Sequence, residues 1–425
     1  MRKTVVNIAS LFISVVANRI FPILLLPFLA RALGPEQFGH YVMASAFSYL
    51  LAQIVEWGFN MTGVRDIALV AREKTKVGKI IVTVGFSRAL ISLLLLFICA
   101  AASPWLSWVA PSATLFWAAV IYGLLYAFDF RFGFYGLQES RPFLILSFMQ
   151  YLVSFAGVVS MVRGPADAWL AFAIPSACGI VSVLYSLWLL QKWAVFSKPS
   201  LNEALASIRN SLQVFLARNV FQSSSQLGVL VLGLFAAPQV VGWFGVNERI
   251  SRTLGQLILY PLQMGLTPVV LQNSRTKQRR AVLIHLGGLG CAVLAAIITG
   301  VGLYFYAPRV LQILLGSSPD EAIHALRMLS IYPLIFVLIH QGGIFWLYLL
   351  RWDRENLIIL LTYTTAFVSL LFLFASWWQL NGVVAGVLVS GSSLVLIFFL
   401  FCAINRILPW QQPLGIALAK RRSSE

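Results

Sequence analysis

The stretch Asn18–Tyr41, NRIFPILLLPFLARALGPEQFGHY, reads as two apolar helices joined by a tight turn at Gly34-Pro35, with Arg19 set inside the first helix. An echo follows about two hundred residues later. Gly233–Phe244 reads GLFAAPQVVGWF, so Pro35, Gly39 and Tyr41 find counterparts in Pro238, Gly242 and Phe244. Two membrane hairpins are therefore expected to be copies of one unit.

Composition fixes the setting. The 425 residues are 60% hydrophobic and 11% charged, with a mean hydropathy of +0.85, which excludes an ordinary soluble domain. A spanning helix needs roughly 20 mostly apolar residues. Loop signals divide the chain into about twelve such spans, near 5–30, 38–60, 80–102, 112–135, 142–162, 168–190, 211–236, 239–270, 281–306, 321–350, 356–378 and 381–403. The expected fold is an all-α polytopic membrane protein. Its expected parts are an N-terminal six-helix bundle (1–190), a cytoplasmic linker (191–210), a C-terminal six-helix bundle (211–405) and a basic cytoplasmic tail (406–425). Both halves would begin on the same side, as parallel repeats about a pseudo-twofold axis along the membrane normal.

Loop charge gives the orientation. Of 31 basic residues, 21 fall on the termini and one set of alternate loops and three (Arg31, Arg163, Arg309) on the other set, which puts both termini in the cytoplasm. A formal charge of +17 spread this way marks cytoplasmic loops, and nucleic acid is not an expected partner. Cys99, Cys178, Cys291 and Cys402 sit in separate apolar runs without metal spacing, so no metal site is expected. Trp105, Trp108, Trp377, Trp378, Trp188, Trp193 and Trp352 cluster near the predicted interfaces as an aromatic belt.

Seven arginines remain inside predicted spans: Arg19, Arg88, Arg131, Arg218, Arg249, Arg252 and Arg327, against three acids, Glu56, Asp129 and Glu248. At about 2.5–3.5 kcal/mol each at a bilayer centre, they are expected to face protein, water or an anion. Glu248 and Arg252, four apart with the acid first, are placed to pair. Arg249 is turned about 100° away and left over. Arg19, Arg88, Arg218 and Arg249 are the expected binders of an anionic lipid head, since a guanidinium presents paired donors and stays charged. Arg252, Glu248, Arg131, Asp129, Arg327, Asn219, Gln222 and Gln226 are secondary candidates for lining a cavity. His340, beside Gln341, is the histidine placed deepest and a candidate for proton coupling. His285 falls nearer a helix end. No catalytic residue is expected.

Four stretches carry a resemblance: FPILLLPFLARALGPEQFGHY (21–41), WGFNMTGVRDIA (57–68), FRFGFYGLQESRP (130–142) and APQVVGWFGVNERISRTLGQLILYPLQMGLTPVV (237–270). Through them the chain resembles the Wzx-type polysaccharide flippases of the multidrug/oligosaccharidyl-lipid/polysaccharide exporter superfamily. The fourth-span stretch departs from the family habit, reading FYGLQE where an aromatic pair precedes QGLE. The resemblance implies two six-helix bundles in a V-shaped alternating-access arrangement. It implies a flippase that moves undecaprenyl-pyrophosphate-linked oligosaccharide from the cytoplasmic to the periplasmic leaflet of a bacterial inner membrane for O-antigen or capsule assembly. Coupling to a proton or sodium gradient, and work beside a polysaccharide polymerase and chain-length regulator, belong to the same expectation. Two alternatives are a multidrug exporter of the superfamily, which should carry a net acidic cavity, and an O-antigen polymerase or ligase, which needs a sizeable outside loop. The longest such loop is expected at 307–320.

Overall fold

The computed structural model describes residues 2–276, 278–350 and 352–408. Among them there is no strand, and twelve helical rods account for most of the chain. α1 (Arg2–Glu56) contains the opening hairpin. It breaks at Gly34, whose φ of 74° and ψ of 167° lie in a region that only glycine enters without strain. Pro35 then restarts the helix at a position where its missing N–H costs nothing. α2 (Phe59–Val70), α3 (Lys74–Ala102), α4 (Ala113–Tyr126), α5 (Arg131–Gly136), α6 (Ser140–Met161) and α7 (Leu170–Leu190) follow. After them come α8 (Leu201–Gln222), α9 (Ser224–Gly233), α10 (Pro238–Thr276), α11 (Gln278–Leu315), α12 (Asp320–Leu329) and α13 (Tyr332–Val337). A π-helical segment (Leu338–Ile344), α14 (Phe345–Leu349) and α15 (Asp353–Ile404) complete the chain, and α15 breaks at Gln379 with φ 45°.

Eight stretches are long and apolar enough to cross a membrane, and two of them, Phe21–Val70 and Arg354–Ile404, hold two rods each. The remaining rods, 201–233 and 238–276, are less apolar because they carry Arg209, Arg218, Glu248, Arg249 and Arg252. The chain is thus a multi-pass membrane protein, as composition requires.

Three predicted ends move. The second span stops at Glu56 rather than at 60, because Trp57 (φ 48°) and Gly58 (φ 78°) leave the helical region. The fourth is interrupted over 127–130. The ninth continues across Pro308 to Leu315 and ends at Gly316, φ 75°, so the connection expected over 307–320 shrinks to 316–319.

By packing, the chain divides into Met1–Gly242 and Trp243–Glu425. The stretch 191–210 is no loose bridge. Val195 N donates to Lys74 O at 2.9 Å, and a Cβ on Gly78 would fall 2.0 Å from Val195 O. α8 is then sewn onto α2 and α3 through Lys79–Glu203 (2.6 Å), Ser87 Oγ to Ala204 O (3.2 Å) and Thr62 Oγ1 with Ser211 Oγ (3.0 Å). Trp57 donates to Ile208 O at 3.0 Å and stacks on Phe215 at 4.3 Å. These contacts explain why the first unit includes α8 and α9.

The two echoed turns meet inside the first unit. A Cβ on Gly39 would lie 1.8 Å from Pro238 O, and one on Gly242 would lie 3.4 Å from the Gly39 Cα. Glycine at both positions lets the backbones cross, which is why the repeat keeps them.

Candidate functional site

The first unit gathers its buried charge around two helix breaks. At the end of α1, the Glu56 carboxylate accepts from Gly58 N (3.0 Å) and Asn60 N (2.9 Å), capping α2. At the interruption after α4, Asp129 Oδ1 accepts from Arg131 N at 2.8 Å, and the Asp129 carboxylate also pairs with the Arg131 guanidinium. Arg88, on α3, joins the two breaks. Its guanidinium donates to Asn60 Oδ1 at 2.9 Å and to Asp129 O at 2.7 Å, and it lies 5.3 Å from the Phe132 ring and 6.0 Å from that of Phe59. Arg88 is 0% exposed. Two of its guanidinium nitrogens thus donate to protein acceptors inside a packed aromatic shell, while Nε is buried without a partner among the described residues.

The second unit handles its charge differently. Glu248 and Arg252 form the ion pair that their spacing predicts, and Arg252 also hydrogen-bonds Tyr332 at the start of α13. Asn247, fully buried, donates to Ala322 O at 2.9 Å. Arg249, half-buried on the same helix, has no carboxylate or hydrogen-bond partner among the described residues. It lies eleven residues into α10, about 16 Å from the helix start. Arg327 is exposed, with its guanidinium 5.4 Å from the Tyr304 ring, so it stands outside any buried cluster.

The structure therefore brings Arg88, Asp129 and Arg131 together in one unit, and Glu248 with Arg252 in the other. Gln226 is half-buried on α9. The side chains of Arg19, Arg218, Asn219 and Gln222 lie outside the described residues. The sequence reading passed over Asn60 and Tyr332. Both were marked in the sequence: Asn60 follows Gly58 in the WGFN run, and Tyr332 stands 203 residues after Asp129, the same offset that relates Pro35 to Pro238. That offset also carries the end of α4 at Tyr126 onto the end of α12 at Leu329. The repeat thus reaches the fourth span, where residue identity had faded.

A family model described as polysaccharide biosynthesis protein matches residues 4–274. A protein of Escherichia coli (strain K12) classed as an O-antigen transporter is 25% identical over 333 residues, covering 77% of this chain and 79% of its own. Among solved structures, an inward-facing multidrug resistance MATE family transporter of the MOP superfamily superposes with a TM-score of 0.70 at 15% identity, covering 95% of this chain and 96% of its own. The lipid II flippase MurJ, in an inward closed conformation, gives a TM-score of 0.65 at 12% identity, covering 94% of this chain and 87% of its own. At these identities the structural likenesses establish the fold, which is that of the MOP superfamily transporters.

Proposed function

This chain belongs to the polysaccharide biosynthesis protein family, and from that premise we propose that it is a transporter rather than an enzyme. The proposed activity is a flippase that carries undecaprenyl-pyrophosphate-linked oligosaccharide repeat units from the cytoplasmic to the periplasmic leaflet. Its setting is a bacterial inner membrane, with both termini in the cytoplasm, and its product feeds O-antigen or capsule assembly. The curated relatives classed as O-antigen transporters and the lipid-flippase fold neighbour support the coarse reading.

One observation carries the finer one. Arg249 lies within a membrane rod with no partner among the described residues, while its neighbours Glu248 and Arg252 neutralise one another. An uncompensated guanidinium at that depth costs about 2.5–3.5 kcal/mol unless an anion or water meets it, and a pyrophosphate supplies two acceptors per phosphate for its fork. Arg19 and Arg218, whose side chains lie outside the described residues, remain proposed binders of the head, and Arg88 is proposed instead to hold the breaks of the first unit. The prenyl chain would remain in lipid while the head crosses, and no covalent chemistry is needed. A polymerase and a chain-length regulator would act on the delivered units.

The multidrug reading shares the fold but expects a net acidic cavity, and the predicted spans hold seven arginines against Glu56, Asp129 and Glu248, each of which is bound by internal donors. The polymerase reading needs a loop with catalytic groups. Residues 316–319 are Gly-Ser-Ser-Pro, and Asp320 and Glu321 belong to the first turn of α12. In a strain lacking the gene, complementation by Arg249→Ala should leave lipid-linked oligosaccharide on the cytoplasmic leaflet and no surface polysaccharide at normal protein level. Full surface polysaccharide would remove Arg249 from the site.

A further inference from the structure

The second unit contains a buried polar chain that the proposed lipid site does not use. Gln263 Nε2, on α10, donates to Gln341 Oε1 at 3.3 Å, and Gln341 Nε2, on the π-helical segment, reaches His285 Nδ1, on α11, at 3.5 Å. Gln341 and His285 are both 0% exposed. The imidazole is stacked against Trp346 at 5.1 Å and Phe345 at 5.7 Å, and Trp346 is anchored by donating to Ile407 O at 2.9 Å. His285 Nε2 is buried without a partner among the described residues. Because Gln341 Oε1 already accepts from Gln263, its Nε2 donates to Nδ1, so the neutral ring carries its hydrogen on Nε2 and leaves that N–H buried, at a cost of about 1–3 kcal/mol.

We propose that His285 is a proton-binding site whose charge is accommodated by inverting the Gln341–Gln263 amide chain. In the neutral state the amides point as described. When a proton is added, both ring nitrogens become donors. Rotation of the Gln341 amide by about 180° then places its oxygen on Nδ1–H and its nitrogen toward a rotated Gln263 oxygen, so Nδ1–H and both amides meet a complement and the added proton creates no further unpaired donor. The flanking faces of Trp346 and Phe345 stabilise a cation against them. The π-helical turn, one residue wider than an α-turn, carries Gln341, and such turns recur at functional positions. The chain ends on α10, the helix that carries Arg249.

Among the titratable groups of the neighbouring elements, Glu355 at the start of α15 has an Oε2 that is buried without a hydrogen-bond partner among the described residues. Arg279 and Arg280, on the turns of α11 before His285, are exposed, as are Tyr348 on α14 and Arg406 beyond α15. Cys402 on α15 is buried, and His340 has its Nδ1 on Phe336 O at 3.0 Å with its ring stacked on Phe336 at 4.0 Å. Tyr332 on α13 is bonded to Arg252. On α10, Tyr260 is half-buried, and Glu248 and Arg252 lie about 22 and 16 Å along the helix from Gln263. Asp320, Glu321, His324 and Arg327 belong to α12, which follows the opposite end of α11.

The chain has four histidines, so the site can be watched directly. Full-length protein labelled with nitrogen-15 histidine, in lipid bilayers without substrate, would be followed by solid-state NMR from about pH 8 to about pH 4, with His285→Gln assigning the signal. The expected result is a neutral ring bearing its hydrogen on Nε2 that converts to imidazolium. Gln341→Leu should weaken proton affinity about tenfold, one unit in midpoint, and Gln263→Leu, at a less buried position, should weaken it in the same direction. A ring that stays neutral throughout, or an unchanged midpoint in the leucine variants, would overturn the proposal. Because no lipid substrate enters the measurement, its outcome is separate from that of the flippase assignment.

Discussion

The two units break the same rod at the same place and secure the break in opposite ways. In the first, the interruption after Tyr126 is held by a charge cluster: Asp129 pairs with Arg131, and Arg88 bolts the Asp129 carbonyl to Asn60 across the break at Gly58. In the second, the interruption after Leu329 has Tyr332 where the first has Asp129, and a single guanidinium from α10 meets it. The position equivalent to Gly58 is Pro261, and α10 runs through it unbroken. A repeat therefore preserves where rods bend, while the residues that hold the bend diverge. The difference is that Arg88 and Arg131 hold the breaks of the first unit, whereas Arg249 in the second has no partner among the described residues.

That contrast predicts different failures for superficially similar mutations. Arg249→Ala should lower transport at least tenfold with normal protein level and melting temperature, measured by leaflet-resolved lipid-linked oligosaccharide. A loss of folding instead would make Arg249 another structural arginine. Arg88→Leu should do the reverse. It leaves Asn60 Oδ1 and Asp129 O without their charged donor, a loss of about 3 kcal/mol or more, visible as a lower melting temperature and lower abundance. Arg88→Lys should recover only part, since one ammonium cannot reproduce the fork. Unchanged melting in both would break the clamp.

Smaller effects test the crossing and the strap. Gly39→Ala sets a methyl against the Pro238 carbonyl and should cost on the order of 1–3 kcal/mol, read as a fall in melting temperature. Gly34→Ala, at positive φ with open space around it, should fall in a similar range through backbone strain alone. The smallest effect is expected from Lys79–Glu203. The hydrogen bond from Lys79 holds the exposed Glu203 carboxyl below its usual range. The pair's contribution is therefore fully present above about pH 4.3, the ordinary glutamate value, and lost as the pH falls through the lowered one. Wild type and Glu203→Gln should differ slightly in melting temperature at neutral pH and converge in acid, and a difference that grew in acid would contradict the pairing.

Much of this was legible in the sequence. The Gly34-Pro35 turn, the echo at Pro238 and the twelve rods follow from hydropathy and turn chemistry, and the Glu248–Arg252 pair follows from helical spacing. The partners of Arg88 were not legible, because they lie 28 and 41 residues away and one is a backbone carbonyl, which no local pattern displays. Asp129, a secondary candidate for lining a cavity, accepts from the Arg131 N–H at the start of α5, a contact that only the break over 127–130 makes possible. The ninth span is expected to end at 306, but a proline removes only one hydrogen bond, and the rod continues across Pro308 to the glycine that can end it. Depth singles out His340, whereas the contact of His285 with Gln341 spans 56 residues and no local pattern displays it.

The most direct test of the central claim is reconstitution. Purified wild type and Arg249→Ala, each in proteoliposomes with a fluorescent short-chain polyprenyl pyrophosphate, would be compared for the rate at which the probe becomes accessible on the opposite leaflet. The account predicts probe movement with wild type and a rate at least tenfold lower with Arg249→Ala. Equal rates for the two proteins would contradict it.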